Sequence, residues 1–357
     1  MSESDWNVLV RRDDFGVTEV RDAPRTELEP GEVRLSVERF GVTSNNVTYA
    51  KLGELLHTYD AFPAPDGWVR VPAWGFATVE ASRHSDHAEG TRVFGLLPMS
   101  TRFTVSPEPT YGGFSDSAPH RRMMHPFYRR YRFVGPEHSL DGIRTVLRPV
   151  FSTSLLLADA VSAKAAEGVQ VTALVSSASS KTALGLAYVL AGREGVRTHG
   201  LTSDGNIAFV RRTGLYDAVT TYDTLGETDL PAPVAFIDFA GAQEGLQAVH
   251  ERFAAALALS VLVGGTRADV LPDAAGLPGP APTQFSVLDS EGERIEQVGA
   301  EAYYTAVAAA EDAFVATAGG WLRADDRRGS DAVVSAWADV LAGRVSADTV
   351  RVLHPGG

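Results

Sequence analysis

The stretch SSASSKTALGLA, residues 176–187, carries hydroxyl side chains and a lysine in a setting that suits phosphate binding. It follows the apolar run VQVTALV, and at such strand–turn–helix junctions dinucleotide-binding proteins bring the backbone close to a pyrophosphate. Ser179 and Ser180 can donate hydroxyl hydrogen bonds, and Lys181 and Thr182 fall in the first turn of the predicted helix. A cation is unfavourable there unless an anion lies beside it. We predict that these four side chains contact a nucleotide phosphate; the alternative is a solvated lysine in a turn that binds no cofactor.

A P-loop is a second interpretation of the same stretch. VSSASSKT (175–182) is similar to the P-loop pattern without its two glycines, and VAFID (234–238) to the acidic strand end that holds magnesium. A P-loop backbone needs both glycines to wrap around the phosphates. The only glycine of this stretch is Gly185, inside the predicted helix. The missing glycines therefore count against a P-loop.

The end of the next predicted strand, GLTSDGN (200–206), bears on which dinucleotide is bound. An Asp or Glu at this place usually bonds to the ribose 2′-hydroxyl of NAD. Here Ser203 stands at the strand end, where a small hydroxyl residue leaves room for a 2′-phosphate, and Asn206 and Arg211 follow. We therefore favour NADP over NAD, with Asp204 as the residue that supports NAD.

Glycines close two later strands of the same region. Gly241 follows PVAFIDFA, and Gly264 and Gly265 follow ALSVLV. Ligands of open parallel sheets bind at the carboxyl ends of the strands. We predict that these glycines let the backbone approach a nicotinamide ring; ordinary turn glycines are the alternative.

The stretch HRRMMHPFYRRYRF (120–133) holds five arginines, two histidines and four aromatic residues in an acidic chain. A guanidinium fork suits oxygen anions. Arg121 and Arg122 are therefore candidates to bind an anionic substrate handle: a carboxylate, a coenzyme A phosphate or a phosphopantetheine. The alternative is a solvated segment or a dimer contact.

The predicted secondary structure changes near residue 150, from strands alone to alternating strands and helices. Up to there, alternating apolar and polar runs such as EVRLSVERFGV (32–42) are typical of half-buried strands between Gly and Pro turns. LLLADAVSAKAAEG (155–168) predicts a helix, and strands and helices then alternate as in a parallel sheet with right-handed crossovers. Two further helical stretches, 300–318 and 331–343, and then the apolar TVRVLH follow.

Composition excludes several classes of function. A net charge of −13 over 357 residues argues against a general nucleic-acid binder. The chain has no cysteine, which excludes disulfides, thiolate metal ligands and a cysteine nucleophile. We see neither a secretory signal nor an apolar run of about 18 residues, so we expect a cytoplasmic protein with no membrane contact.

Several pieces of the chain, in this order, resemble the medium-chain dehydrogenase/reductase superfamily. LEPGEVRLSVERFGVTSNN is similar to its opening strand and first catalytic loop, VPAWGFATVEAS to its glycine turn, and AEGTRVFGLLP to its GDRV strand. GGFSD and VSADTVRVLH are similar to its GGxAEY segment and its chain end. The resemblance implies an α/β protein. A chaperonin-10-like, β-rich catalytic domain would occupy 1–150, completed by about 320–357, and a Rossmann domain with a doubly wound parallel sheet 151–319.

The departures from this superfamily concern zinc. Its zinc-dependent members carry a Cys in the first catalytic loop and a His after the glycine turn, where this chain has Thr43 and Phe76. A four-thiolate structural zinc site is impossible without cysteine. The resemblance therefore implies the zinc-independent branch of quinone oxidoreductases and enoyl reductases, some of it described only as domains of unknown function. Those enzymes add hydride from NADPH to a polarised C=C bond, and the pairing of Rossmann sheets in the family implies a homodimer.

Within this resemblance, the loop TSNNVTYAKLG (43–53) occupies the position of the catalytic loop. Enoyl reductases of the superfamily often place a tyrosine there, which makes Tyr49 the first candidate to donate a proton or a hydrogen bond to the substrate. Asn45 and Asn46 are candidates to donate hydrogen bonds to a carbonyl oxygen that becomes enolate-like; turn formation is the alternative for at least one of them. Trp74 and Phe76 are candidate pocket walls, with plain core as the alternative.

The resulting prediction is a zinc-independent reductase that transfers hydride from NADPH to an enone, a quinone or an enoyl-thioester. Two alternatives stay open. One is a repurposed or non-catalytic Rossmann-like binding protein, favoured by the missing glycines, and the other is a metal-free carbonyl reductase. The predicted partners are a small-molecule or acyl-thioester substrate and a second copy of the chain.

Overall fold

The computed structural model describes residues 5–165, 169–263 and 272–356. The chain divides between Val146 and Leu147 and again between Trp321 and Leu322, which gives two compact units. The first unit combines the N-terminal part with the C-terminal strands, and the second is the segment between the two divisions.

In the second unit strands and helices alternate, as the sequence pattern predicts, whereas the first unit consists mainly of strands. The strands are β1 Trp6–Arg11, β2 Thr18–Asp22, β3 Val33–Val42, β4 Trp68–Val69, β5 Pro72–Ser82, β6 Arg92–Pro98, β7 Arg102–Val105, β8 Pro107–Thr110, β9 Gly113–Asp116, β10 Arg130–Phe133, β11 Val171–Val175, β12 Val196–Thr202, β13 Ala218–Thr221, β14 Val234–Asp238, β15 Leu257–Leu262, β16 Thr283–Gln284, β17 Arg323–Arg328 and β18 Thr349–His354. The α-helices are α1 Ser44–Lys51, α2 Thr58–Ala61, α3 Pro126–Arg129, α4 Asp141–Ala165, α5 Lys181–Ala191, α6 Asp204–Thr213, α7 Gln243–Phe253, α8 Val287–Val298, α9 Ala300–Ala318 and α10 Ser330–Leu341.

The first unit is built on a nine-stranded sheet in the order β17-β18-β3-β5-β6-β10-β9-β8, with β7 also paired to β3. Its central strands β3, β5 and β6 pair antiparallel, and β3 alternates buried and partly buried residues as its sequence pattern predicts. Gly75 of β5 allows a close approach to β3, because a Cβ there would lie 2.1 Å from the Arg39 carbonyl oxygen. This sheet carries Trp74 and Phe76 on neighbouring positions of one face.

The second unit is a parallel sheet in the order β13-β12-β11-β14-β15-β16. The order reverses between β11 and β14, as in a doubly wound dinucleotide-binding fold. The strands are apolar on both faces: Val175 and Ile237 belong to one buried cluster, and Leu174 and Phe236 to another. The predicted α/β class, with a β-rich domain and a Rossmann domain, is therefore confirmed.

Helix α4 begins earlier than the sequence indicates, at Asp141, and continues through Pro149. Proline removes a backbone donor and crowds the preceding turn, so the sequence pattern alone favours a start after it. Contrary to the prediction from composition, α4 is long and apolar enough to span a membrane, and half of its most apolar window is buried. Its residues Leu157 and Val161 pack in one cluster with β11, the surroundings of a core helix.

One buried histidine makes the stability of the first unit depend on pH. His87 is packed between the rings of His84, Phe114 and Phe133, and neither of its ring nitrogens has a hydrogen-bond partner among the described residues. Burial lowers the pKa of His87, with the nearby His84 acting in the same direction. As the pH falls through about 6.5, the unfolded chain takes up this proton before the folded chain does, so stability is lost from there downwards.

We expect His87→Leu to reduce this pH dependence. Between pH 7.5 and 5 the variant should lose less of its free energy of unfolding than the wild type does, as measured by urea denaturation at each pH. The exposed His138, changed to Leu, is the matched control for removing one histidine. Equal losses in the wild type and in His87→Leu would contradict the assignment.

Candidate functional site

The turn after β11 has a glycine-like backbone without a glycine. Ser177 adopts φ 47°, in the left-handed region that is costly for residues with a Cβ. Its backbone N–H donates to the Tyr222 hydroxyl at 3.0 Å, and its carbonyl accepts the Ser180 N–H at 2.7 Å. Ala178 N–H donates to the Leu201 carbonyl at 3.1 Å, which ties the turn to the end of β12. These bonds hold Ser177 in a left-handed conformation that glycine adopts without a steric cost.

A buried pair joins the ends of β11 and β14 beside this turn. The Ser176 hydroxyl donates to Asp238 Oδ1 at 2.5 Å and accepts the N–H groups of Phe239 and Ala240 at 2.9 and 3.1 Å. Asp238 also accepts the N–H of Ala240 at 3.0 Å and that of Gly241 at 3.3 Å. Burial raises the pKa of Asp238, while these hydrogen bonds lower it. The pair therefore fixes the loop at Gly241, whose φ is 63°.

The predicted phosphate-contacting residues form the N-terminus of α5. Ser180 is the N-cap, its hydroxyl accepting the Ala183 N–H at 3.3 Å, and Lys181 and Thr182 are the first two helical residues. The first N–H groups of a helix have no partner within it and favour an anion. Gly185 serves packing, because a Cβ there would lie 2.6 Å from Ser154 Oγ on α4. The structure thus brings Ser179, Ser180, Lys181 and Thr182 together at the carboxyl edge of the sheet.

The end of β12 presents the residues predicted to meet the adenosine ribose. Ser203 is the N-cap of α6 without a side-chain capping bond, and its carbonyl accepts the Asn206 N–H at 3.0 Å. Arg211 lies in the last turn of α6 and donates to the Val219 carbonyl at 3.4 Å. At a rise of 1.5 Å per residue, that is about 12 Å along the helix from Ser203. The placement does not support Arg211 as a phosphate contact. Gly264 and Gly265 lie outside the described residues.

In the first unit, the predicted catalytic loop forms α1, and Asn46 stabilises its start. Asn46 Oδ1 accepts the Thr43 N–H at 2.7 Å, and Asn46 Nδ2 donates to the Pro72 carbonyl at 2.8 Å. The bond between Asn46 Oδ1 and the Thr43 N–H belongs to a capping box, in which the Thr43 hydroxyl in turn accepts a backbone N–H of the first turn. Asn46 is 2% exposed. The structure therefore uses Asn46 to position the helix, the turn-forming role that the sequence left open.

Tyr49 and Asn45 lie one turn apart on α1 and meet Trp74 of β5. The Tyr49 hydroxyl oxygen accepts Asn45 Nδ2–H at 2.9 Å and Trp74 Nε1–H at 2.8 Å. Tyr49 is 4% exposed, and burial raises its pKa far above the usual value, although the two N–H donors lower it. The phenol therefore stays protonated at neutral pH and can act as a hydrogen-bond donor.

Aromatic rings surround this polar group. The ring of Trp74 stacks on that of Phe94, with 6.0 Å between the ring centroids, and meets the ring of Phe127 edge-on at a centroid distance of 5.6 Å. The ring centroid of Tyr128 lies 5.8 Å from that of Tyr49. Phe127 and Tyr128, on α3, come from the arginine-rich stretch, and the sequence pattern does not mark either of them as a site residue. Their aromatic side chains could have indicated a pocket wall, but the arginines of the same stretch pointed to anion binding instead.

Phe76 and Arg121 are core residues. Phe76 is buried and packs edge-on against Phe94 at 5.0 Å, which favours the plain-core alternative. Arg121 is 0% exposed: it lies 3.3 Å from Asp116, donates to the Tyr131 hydroxyl at 2.6 Å and to the Tyr128 carbonyl at 2.9 Å. The prediction that Arg121 binds a substrate anion is therefore corrected, because its guanidinium is enclosed by protein.

Two predictions remain: that Arg122 binds a substrate anion, and that the protein uses no metal. Arg122, the next residue, is exposed. Within residues 5–165, 169–263 and 272–356, no three His, Asp or Glu side chains form a group that could hold a metal ion.

Comparison with known proteins identifies the fold. The family model described as Protein of unknown function (DUF2855) matches residues 40–346, and no curated protein sequence matches the chain. The structure of CurA from Vibrio vulnificus in complex with NADPH is similar over 99% of both chains, with a TM-score of 0.67 and 14% identity. JamJ enoyl reductase in its apo form (TM-score 0.63, 14% identity) and mycobacterial Rv1454c complexed with NADPH (0.60, 18%) are similar over 99% of this chain and 100% of theirs. The chain therefore has the same fold as these three proteins.

Proposed function

This chain belongs to the DUF2855 family of proteins of unknown function, and we propose that it is a zinc-independent NADPH-dependent reductase. The proposed reaction transfers hydride to the activated C=C bond of an enone, a quinone or an enoyl-thioester. The observation that carries the proposal is the left-handed backbone of Ser177, φ 47°. It lies between β11 and the N-terminus of α5, where dinucleotide-binding folds have their glycine-rich turn. CurA and Rv1454c, which share this fold, are described with NADPH, and JamJ as an enoyl reductase.

In this proposal the second unit binds the cofactor. Ser179, Ser180, Lys181 and Thr182 hold the pyrophosphate at the N-terminus of α5. The hydroxyl of Ser203 and the amide of Asn206 bond to the 2′-phosphate, and Gly241 leaves room for the nicotinamide. When bound, NADPH supplies the hydride.

The first unit supplies the polar contact to the substrate. Tyr49 is a buried, protonated phenol, and it donates a hydrogen bond to the substrate carbonyl oxygen, where negative charge develops as hydride arrives. The apolar walls around it are Trp74 and the rings of α3, Phe127 and Tyr128. The same hydrogen bond suits a ketone or aldehyde, so metal-free reduction of C=O is the second candidate. Proton NMR of the products of an enone separates the saturated ketone from the isomeric allylic alcohol, which alone keeps vinyl protons. A homodimer and a cytoplasmic location stay predictions.

Lys181→Ala tests the proposed cofactor site. We expect the Kd for NADPH, measured by calorimetry, to rise about tenfold, because a charge-assisted contact to phosphate contributes roughly 1.5 kcal/mol. The rise should shrink at high salt. NADH should bind more weakly than NADPH to the wild type.

Lys164→Ala is the matched control. It removes the same charge from the last turn of α4, which precedes the amino end of β11 and so lies at the opposite edge of the sheet. Its Kd for NADPH should equal that of the wild type. Folded wild-type protein that binds neither NADPH nor NADH would contradict the proposed function and favour a repurposed Rossmann-like protein.

A further inference from the structure

The guanidinium of Arg70, in the first unit, has no carboxylate beside it. Arg70 is partly buried and stands between β4 and β5. Its Nη2 donates to the Ser100 hydroxyl at 2.9 Å, and its buried Nε has no hydrogen-bond partner. In the parts of the chain that the structure describes, Arg70 forms no ion pair and its Nη1 has no hydrogen-bond acceptor. The protein therefore holds a cation here whose charge it does not balance.

A second guanidinium lies beside the same aromatic ring. The Cζ atoms of Arg70 and Arg121 are 5.8 and 4.8 Å from the ring centroid of Phe62, which follows α2. Asp116 balances Arg121, with its Oδ2 3.3 Å from the Arg121 Nη1. One buried carboxylate thus serves two cations, and the cluster keeps one excess positive charge. Burial lowers the pKa of Arg70 to about 10, so the side chain is still cationic at neutral pH.

His120 lies within electrostatic range of both arginines and is exposed to solvent. Partial burial lowers the pKa of His120, and the charges of Arg121 and Arg70 act in the same direction, against Asp116 and Asp60. The imidazole is therefore neutral at pH 7 and adds no charge to the cluster. Since His120 is exposed, the cluster is open to solvent on this side.

We propose that the guanidinium of Arg70 is a binding site for a carboxylate group, beside Phe62 and His120. The inference goes beyond the proposed hydride transfer and does not depend on it. A guanidinium presents parallel N–H groups that match the two oxygens of a carboxylate. Arg70 keeps both N–H groups of Nη1 and one of Nη2 for such a ligand, because only Nη2 donates to Ser100. A carboxylate carries one negative charge, which balances the one excess positive charge of the cluster.

The unbalanced charge also gives the ligand-free protein a measurable property. A buried charge without a counter-charge is unfavourable, and its removal relieves that cost. In chloride buffer we therefore expect Arg70→Met to unfold at the same urea concentration as the wild type or a higher one. This holds although the variant loses the hydrogen bond to Ser100 and the contact with Phe62. A clear fall in the urea midpoint would mean that Arg70 serves stability, and it would overturn the inference.

Binding is tested with propionate as the probe. Saturation-transfer NMR follows the titration at pH 7.5, with the ionic strength kept constant by sodium chloride. We expect saturable binding to the wild type and a Kd at least about tenfold higher for Arg70→Met, the effect of one lost charge-assisted contact. Arg70→Lys keeps the charge without the planar fork and should bind propionate more weakly than the wild type. This second variant keeps the test valid if Arg70→Met does not fold.

Arg11→Met is the matched control. Arg11 lies on β1, which pairs with β4, and its Nε and Nη2 already donate to Asp13 at 2.9 and 2.7 Å. This variant, and Lys181→Ala in the other unit, should bind propionate as the wild type does. Wild-type protein that shows no saturable binding, or Arg70→Met that binds equally well, would overturn the inference. Stronger competition by inorganic phosphate than by acetate would overturn the assignment to a carboxylate. A failure to bind NADPH would contradict the proposed function alone.

Discussion

Tyr49→Phe is expected to lower kcat for NADPH-dependent enone reduction by about a hundredfold or more, the usual contribution of a positioned proton donor. The substitution keeps the buried ring and its edge contact with Tyr128. It removes the oxygen that accepts the N–H groups of Asn45 and Trp74. NADPH binding should not change, because the phosphate and ribose contacts are proposed in the other unit. Stopped-flow single turnovers separate the chemical step from cofactor binding.

Tyr59→Phe is the matched control for this prediction. Tyr59 follows the same loop, and its hydroxyl donates to the Ala50 carbonyl at 2.6 Å. The control therefore loses one tyrosine hydroxyl and one hydrogen bond in the same region without touching the Tyr49 oxygen. If both variants lose activity equally, the effect is structural. If Tyr49→Phe retains full kcat, Tyr49 is not the proton donor.

The sequence predicts the fold because the hydrophobic pattern and the chain order agree. The apolar strands β11 and β14 read as strands from their composition, and the helices between them set their parallel order. By contrast, β17 has the sequence RADDRR and no apolar pattern. It is stabilised by pairing with β18 and by ion pairs from Asp325 to Arg351 and from Arg327 to Asp339, which become visible only in the folded structure.

The sequence predicts only part of the candidate site. Short stretches of sequence show which residue types are present, whereas the hydrogen bonds between these residues join parts of the chain that are far apart in sequence. The Tyr49 and Lys181 positions follow from short stretches of sequence. The left-handed backbone of Ser177 depends on Tyr222, which is 45 residues away in the chain. The N–H bond from Trp74 to Tyr49 likewise spans 25 residues. Such long-range hydrogen bonds decide whether a side chain has the position and environment that its proposed role requires. They cannot be predicted from a single sequence.

The prediction for Arg121 failed because the sequence does not reveal that this residue is buried. An arginine cluster in the sequence suggests an exposed anion-binding site, but the guanidinium of Arg121 is enclosed by protein. We expect Arg121→Met to lower the free energy of unfolding by about 3 kcal/mol, because it leaves the buried carboxylate of Asp116 without its counter-charge. Backbone N–H groups of Ser106 and Ala118 still bond to Asp116, at 2.9 and 3.1 Å, and limit the loss. Urea denaturation measures it.

The neighbouring Arg122→Met is the control, since this exposed side chain should change stability by less than about 0.5 kcal/mol. The double variant Arg121→Met with Asp116→Asn should recover part of the stability, because the uncompensated charge is then absent. A substrate-binding role makes a different prediction: Arg121→Met would raise KM for an anionic substrate at unchanged stability. The two interpretations therefore separate in one pair of measurements, and burial of the guanidinium among Asp116, Tyr131 and the ring of Phe62 favours the structural one.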